Sequence, residues 1–329
     1  FDVVALQRQL SVTPLRPASQ QWIFPLLTVG FGILVSLWPF HTWAPVGYAT
    51  APTGAAMLHA GVIKKFGLYG LVRVAVPLLP EGAAAWLPWL AWLAVGNVLY
   101  AGLVAMRQKN LHMLFGYSSV AHMGFAFLGI ASLSVMGLTG AVVVMVAHGL
   151  LAALSFALGG YVQRVTGTTE MERLGGLLGA MPYIGALLVM AMLAGCGVPG
   201  FANFPGELLA LFGTWGKHPT PVVLAAWAGL VVGAVYMLRA VRAVLHGPLP
   251  ERWAGVADPN GVWHKLAYAI LIAGLVFFGV APRLLTDRIE PAAGAVTGVA
   301  VRGMPAPGAL WTGVPGGTGA AGGGWEAWR

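Results

Sequence analysis

Two adjacent lysines, Lys64 and Lys65, stand in the stretch LHAGVIKKFGLYGLVR, positions 58–73. The residues around them, Pro52 to Leu78, otherwise read as one apolar helix, and both lysines fall near its middle. A charge at the centre of a bilayer helix costs about 2.5–3.5 kcal/mol even on the lenient insertion scale. The alternative, that both side chains snorkel to an interface, asks them to reach from the middle of a long span. A buried amine that gains or loses a proton when a nearby charge moves is suited to a proton relay. Consecutive helix positions point about 100° apart, so the two lysines aim differently. Lys65 is read as the principal relay residue and Lys64 as a secondary one. Tyr69, four residues after Lys65, shares its helix face, and Arg73 near the helix end reads either as a headgroup anchor or as a relay member.

Two histidines also sit inside apolar spans: His122 in YSSVAHMGFAF and His148 in VVVMVAHGLLAALSF. Neutral imidazole both donates and accepts, and it exchanges protons near neutral pH. The plainer alternative is a core histidine held by a serine or a carbonyl, and Ser118 and Ser119 lie one turn before His122. His41 and His59, nearer helix ends, are further candidates. No HxxxH or HExxH spacing occurs, so a metal site is not expected. Glu207 is the sole carboxylate in an apolar span. It reads as a relay terminus or, alternatively, as a cap for the half-helix that follows a break.

The elements that must position these groups are membrane helices. Of the 329 residues 58% are apolar and 9% charged, and mean hydropathy is +0.79. A soluble domain carries about 25% charged residues. Continuous apolar stretches of bilayer length exclude a barrel and predict an all-α, multi-pass integral membrane protein. Eight spans are expected near 22–38, 52–78, 86–106, 112–132, 136–162, 183–213, 221–246 and 263–282. Two are interrupted, at LWPFHTWAP (37–45) and CGVPGFANFPGELL (196–209), where prolines remove backbone donors. Breaks at membrane depth survive where protein or water re-satisfies the backbone, and they mark ion paths and transporters.

Residues 1–21 are expected to form a loop or interfacial segment, 22–290 the transmembrane domain, and 291–329 a flexible Gly/Ala/Pro-rich tail. The chain opens on Phe1 rather than Met with no signal-peptide pattern, so an N-terminally incomplete chain is expected. The lone cysteine, Cys196, excludes a disulfide framework or a cysteine-built cluster within these residues. Net charge is +8, but the basic residues of the loops and helix ends are scattered singly and form no basic run, so no nucleic-acid partner is expected. Arg107, Lys109, Arg164, Arg173, Arg242 and Arg252 crowd the loops of one face, which the positive-inside rule places in the cytoplasm.

The motifs PFHTWAP, HAGVIKKFGLYGLVR, YSSVAHMGF, AHGL, LGGL and GVPGFANFPGELL, in this order over about residues 20–285, resemble the M-type antiporter-like subunit of respiratory complex I, the proton-translocating NADH–quinone oxidoreductase. The resemblance implies a fourteen-helix fold of which these are the last eight. It matches the family's relay lysine to Lys65, its two relay histidines to His122 and His148, and its terminal acidic residue to Glu207. It implies that electron transfer elsewhere in the assembly drives protons along this axis. NADH, FMN, iron–sulfur clusters and quinone then belong to other subunits, and the partners are the other membrane subunits and the lipid bilayer of a bacterial cell membrane.

The sequence departs from the family where a lysine is usual at the first break: Leu34, Val35 and Ser36 stand there. Val46 replaces a usual aspartate, and His112 and Met113 replace a basic pair. A subunit of a cation/proton antiporter or a membrane-bound hydrogenase would use the same relay residues. Leu34 favours a non-conducting structural subunit. A small-solute transporter would need inverted repeats and a solute-binding cluster, and no such cluster accompanies the breaks.

Overall fold

The computed structural model describes residues 2–302. Helix α1 (Val3–Val12) opens on Asp2, whose carboxylate accepts from the amides of Val4 and Ala5. The segment expected as a loop or an interfacial stretch is thus largely helical over its described residues. Next come α2 (Pro17–Val35) and a short α3 (Trp43–Thr50), then α4 (residues 53–78), which winds through two π turns at His59–Ile63 and Leu71–Ala75. After these follow α5 (Pro80–Arg107), α6 (Leu111–Ala131) and α7 (Val135–Thr166). The half-helices α8 (Pro182–Gly195) and α9 (Asn203–Trp215) precede α10 (Pro219–Leu245), α11 (Val262–Val280) and α12 (Arg283–Arg302). Among the described residues no strand forms.

Six helices are long and apolar enough to cross a membrane: α2, α5, α6, α7, α10 and α11. The remaining two expected spans are present in altered form. One is α4, whose lysines lower its hydropathy, and the other is the α8–α9 pair. The expected flexible tail is corrected in part. Its first residues, 291–302, continue α12, and Ala293, Val296 and Thr297 bury against α4, α5 and α7. The alanine-rich run there supplies helix propensity and small side chains that let it dock. The rest of that expected tail, 303–329, lies outside the described residues.

Helix α6 is buried nearly all round, because α3, α5, α7 and α9 surround it. The long α7 packs most closely on α9, and glycines permit the approach. A Cβ on Gly140 would stand 2.3 Å from the Ala210 amide nitrogen, and one on Gly213 would stand 2.2 Å from that of Gly137.

The apolar core is divided in two. One cluster holds Ala60 of α4, Val120 and Ala121 of α6, and Ala147 and Leu151 of α7. The other holds Leu68, Met123 and Val144 from the same three helices. Lys64 and Lys65 fall between Ala60 and Leu68, His122 between Ala121 and Met123, and His148 beside Ala147. A polar layer therefore crosses the middle of the bundle.

Candidate functional site

The π turn His59–Ile63 ends where the lysines begin, and the Lys64 amide reaches back five residues to the His59 carbonyl (3.1 Å). The Lys65 stem also bends back along α4, as helical side chains do. Its ammonium donates to the Ala60 carbonyl and lies 3.0 Å from His148 Nδ1. An ammonium can only donate there, which sets the proton of neutral His148 on Nε2. The His148 and His122 rings follow at 5.5 Å between centroids. His122 Nε2 stands 3.7 Å from Glu207 Oε1. All four side chains are buried or nearly so, and they come from α4, α7, α6 and α9.

His122 has an unusual surround. Its Nδ1 lies 2.8 Å from the Ser118 carbonyl, and its Nε2 lies 3.1 Å from the Gly195 carbonyl. Both partners accept only, so a neutral ring can donate to one of them and an imidazolium to both. The Ser118 hydroxyl, 3.3 Å from Nδ1 and 3.4 Å from the Tyr236 hydroxyl, offers an alternative partner. The Gly195 carbonyl is available because α8 stops there. Gly197 (φ 68°) and Gly200 (φ 101°) carry the chain through the break in left-handed conformations that suit glycine.

Glu207 sits beyond the first turn of α9, and no side chain caps that helix. The capping alternative therefore does not describe it. Its carboxyl borders a pocket of about 200 Å³ that Phe125, Cys196, Phe204, Leu208 and Leu230 also line.

The remaining candidates lie apart from this line. His41, buried in the turn after α2, packs edge-on against Tyr100 (5.4 Å) and Tyr117 (6.3 Å). His59 packs against Trp43 (5.4 Å) and Tyr48 (5.6 Å). Tyr69 is corrected as a partner of Lys65. It is 56% exposed and points out of the bundle, whereas the Lys65 stem turns inward and back. Arg73 is exposed on the same helix, and its carbonyl accepts from Gln7 of α1 (2.8 Å).

Lys64, read as the secondary member of the pair, is the more deeply placed of the two: it is 0% exposed, against 7% for Lys65. Its ammonium donates to the Ser119 hydroxyl (2.9 Å), the Ser119 carbonyl (3.2 Å) and the Ser36 hydroxyl (3.4 Å). Ser119, expected near His122, thus serves Lys64, while Ser118 alone serves the histidine. Sequence reasoning also missed Asn97. Its amide accepts from the Trp38 N–H (2.7 Å) and donates to the Ser36 and Val120 carbonyls (3.0 Å each). The signal was present, since an asparagine interrupts the apolar run LAVGNVLYAG.

The sequence model of the family described as "NADH:quinone oxidoreductase/Mrp antiporter, TM" matches residues 5–233. The chain belongs to this family. Among relatives of this NADH:quinone oxidoreductase/Mrp antiporter family, "NADH-quinone oxidoreductase subunit M" of Rickettsia bellii is 33% identical over 263 residues, 80% of this chain and 53% of the relative. The protein of the same name from Pseudomonas aeruginosa is 37% identical over 270 residues, 81% of this chain and 52% of the relative. A chain in the structure "Respiratory complex I from Thermus thermophilus with bound NADH" superposes with a TM-score of 0.82 at 30% identity, covering 91% of this chain and 65% of that one. The chain spans about half the length of the curated relatives it matches.

Proposed function

We propose that this chain is part of a proton-translocating membrane subunit of an NADH–quinone oxidoreductase. The observation that carries this reading is the line Lys65–His148–His122–Glu207. Four ionisable side chains from four helices follow one another across the polar layer at 3.0 Å, 5.5 Å between rings, and 3.7 Å. A proton leaves the Lys65 ammonium for His148 Nδ1, passes to His122, and reaches the Glu207 carboxylate. Buried ionisable groups in a membrane interior are costly and are held where ions move. The names of the relatives and the solved complex supply the assembly: the chain works among other membrane subunits, in a bacterial cell membrane. The basic loop face is cytoplasmic.

The chain does no redox chemistry in this reading. NADH, FMN, iron–sulfur clusters and quinone reside on other subunits, and their electron transfer sets the charges that move the proton here.

The test is Lys65→Met in the assembled complex, with the proton-to-electron ratio measured in sealed vesicles. Loss of a proton-transfer partner costs about 10²–10⁴-fold in rate, so the ratio is expected to fall while assembly persists. A wild-type ratio in the assembled variant overturns the relay.

A further inference from the structure

Lys64 is the most deeply buried charge in the described part of the molecule, and the line from Lys65 to Glu207 does not use it. Its aliphatic stem lies on α4, yet its ammonium is delivered to a different place. It reaches the end of α2, where Ser36 adopts a left-handed backbone (φ 72°) and the chain leaves its helix. The partners there are hydroxyls and a carbonyl from Ser36 and Ser119, with the Tyr48 ring 5.8 Å away. Among the described residues no carboxylate stands within ion-pair distance of either lysine. A dry apolar side chain of this length would satisfy packing at far lower cost, so packing does not account for the ammonium.

We propose that Lys64 is a second proton-carrying site, the receiving end of the relay at the break after α2. The inference rests on the relay reading above. It takes a water-borne proton arriving at the Ser36 side: a bond forms between that proton and the free Lys64 amine, and water is left. The new positive charge is one residue from Lys65 and within electrostatic reach of His59, His122 and His148. Two like charges in a low-dielectric interior repel strongly. Charging Lys64 therefore favours breaking an N–H bond of the Lys65 ammonium and forming one at His148 Nδ1. The pair acts as a push: the uptake site is filled and the neighbouring site empties away from it. The charged partners are Lys65 and Lys64 on α4, His148 on α7 and His122 on α6, while α2 contributes the Ser36 hydroxyl.

Four variants in the assembled complex, with the proton-to-electron ratio as readout, test this. Lys64→Met and Lys64→Gln remove the titrating amine. Lys64→Arg keeps the charge and donors but holds its proton at all working pH. Lys64→His restores a titrating group. The expected result is a fall of about twofold or more for Met, Gln and Arg, with His pumping better than all three. A strut that only braces the break would be served by Arg, so wild-type pumping in Lys64→Arg overturns the proposal. So does a wild-type ratio in assembled Lys64→Met. If Arg does not assemble, the Gln and His variants decide, and equal ratios in those two overturn it. Lys65→Met separates the failures. If it abolishes pumping while the Lys64 variants pump normally, only this inference falls. If all of them pump normally, the relay reading falls with it.

Discussion

The two interrupted helices solve one backbone problem with different chemistry. At the first, α2 ends on left-handed Ser36, and side chains from elsewhere complete the break: Asn97 bonds the Trp38 amide and the Ser36 carbonyl, Trp43 Nε1 bonds the Ile33 carbonyl, and Lys64 bonds the Ser36 hydroxyl. At the second, two glycines turn the chain, and the broken span brings its own carboxylate, Glu207, to His122, which also takes the Gly195 carbonyl. The first break borrows its charge from α4 across the bundle, while the second carries its charge in its own sequence. A helix break at membrane depth is thus a polar socket, and the socket can be loaded from either side.

This contrast can be broken or sharpened by mutation. The largest effect is expected at the second break. Glu207→Gln keeps shape and hydrogen bonding but cannot shuttle a proton, so pumping should fall about 10²-fold or more with assembly intact. Pumping at the wild-type ratio in that variant would make the two sockets equally dispensable. Next comes Lys64→Met, whose smaller loss reports the borrowed charge. A loss as deep as that of Glu207→Gln would mean that the relay has no weaker end. The smallest effect on pumping is expected for Asn97→Leu. It strands the Trp38 amide and the Ser36 carbonyl, at about 1–3 kcal/mol for each buried group left unpaired, while the Val120 carbonyl keeps its bond within α6. Thermal stability of the assembled complex should drop, and the proton-to-electron ratio should drop less. An Asn97→Leu complex as heat-resistant as wild type would show that water or another group completes the first break.

The second break was legible in the sequence. Gly197, Pro199, Gly200, Pro205 and Gly206 announce it, and Glu207, the one carboxylate in an apolar span, is found by counting. The first break was legible as backbone but not as chemistry. Prolines at 39 and 45 mark where it lies, whereas the lysine and the asparagine that fill it come from positions 64 and 97 on two other helices. Pattern reading along one strand of text finds what a segment carries and misses what it receives. The same limit explains Tyr69. Spacing of four placed it on the Lys65 face, but a long side chain that bends back toward Ala60 does not stay above its own Cα. Six of the eight expected spans are continuous and apolar enough to cross a membrane, because bilayer length and apolarity are properties of each segment alone. The lysines of α4 and the break between α8 and α9 take the other two out of that class. The docking of residues 291–302 was hidden for the opposite reason, since that segment is held by the helices it meets.

The π turn at His59–Ile63 has a consequence for how this site can be lost. Such a turn holds one residue more than an α-helical turn does, and one residue is worth about 100° of rotation. The aim of Lys64 at Ser36 and of Lys65 at His148 is therefore set by a count as well as by side-chain identity. Removing one residue from the regular α-helical stretch Thr53–Leu58 just before the π turn, where no spare residue exists to absorb the loss, would leave every ionisable group in place by name. It would still swing both ammonium groups off their partners. A substitution scan would pass over this vulnerability, because the quantity it guards is length.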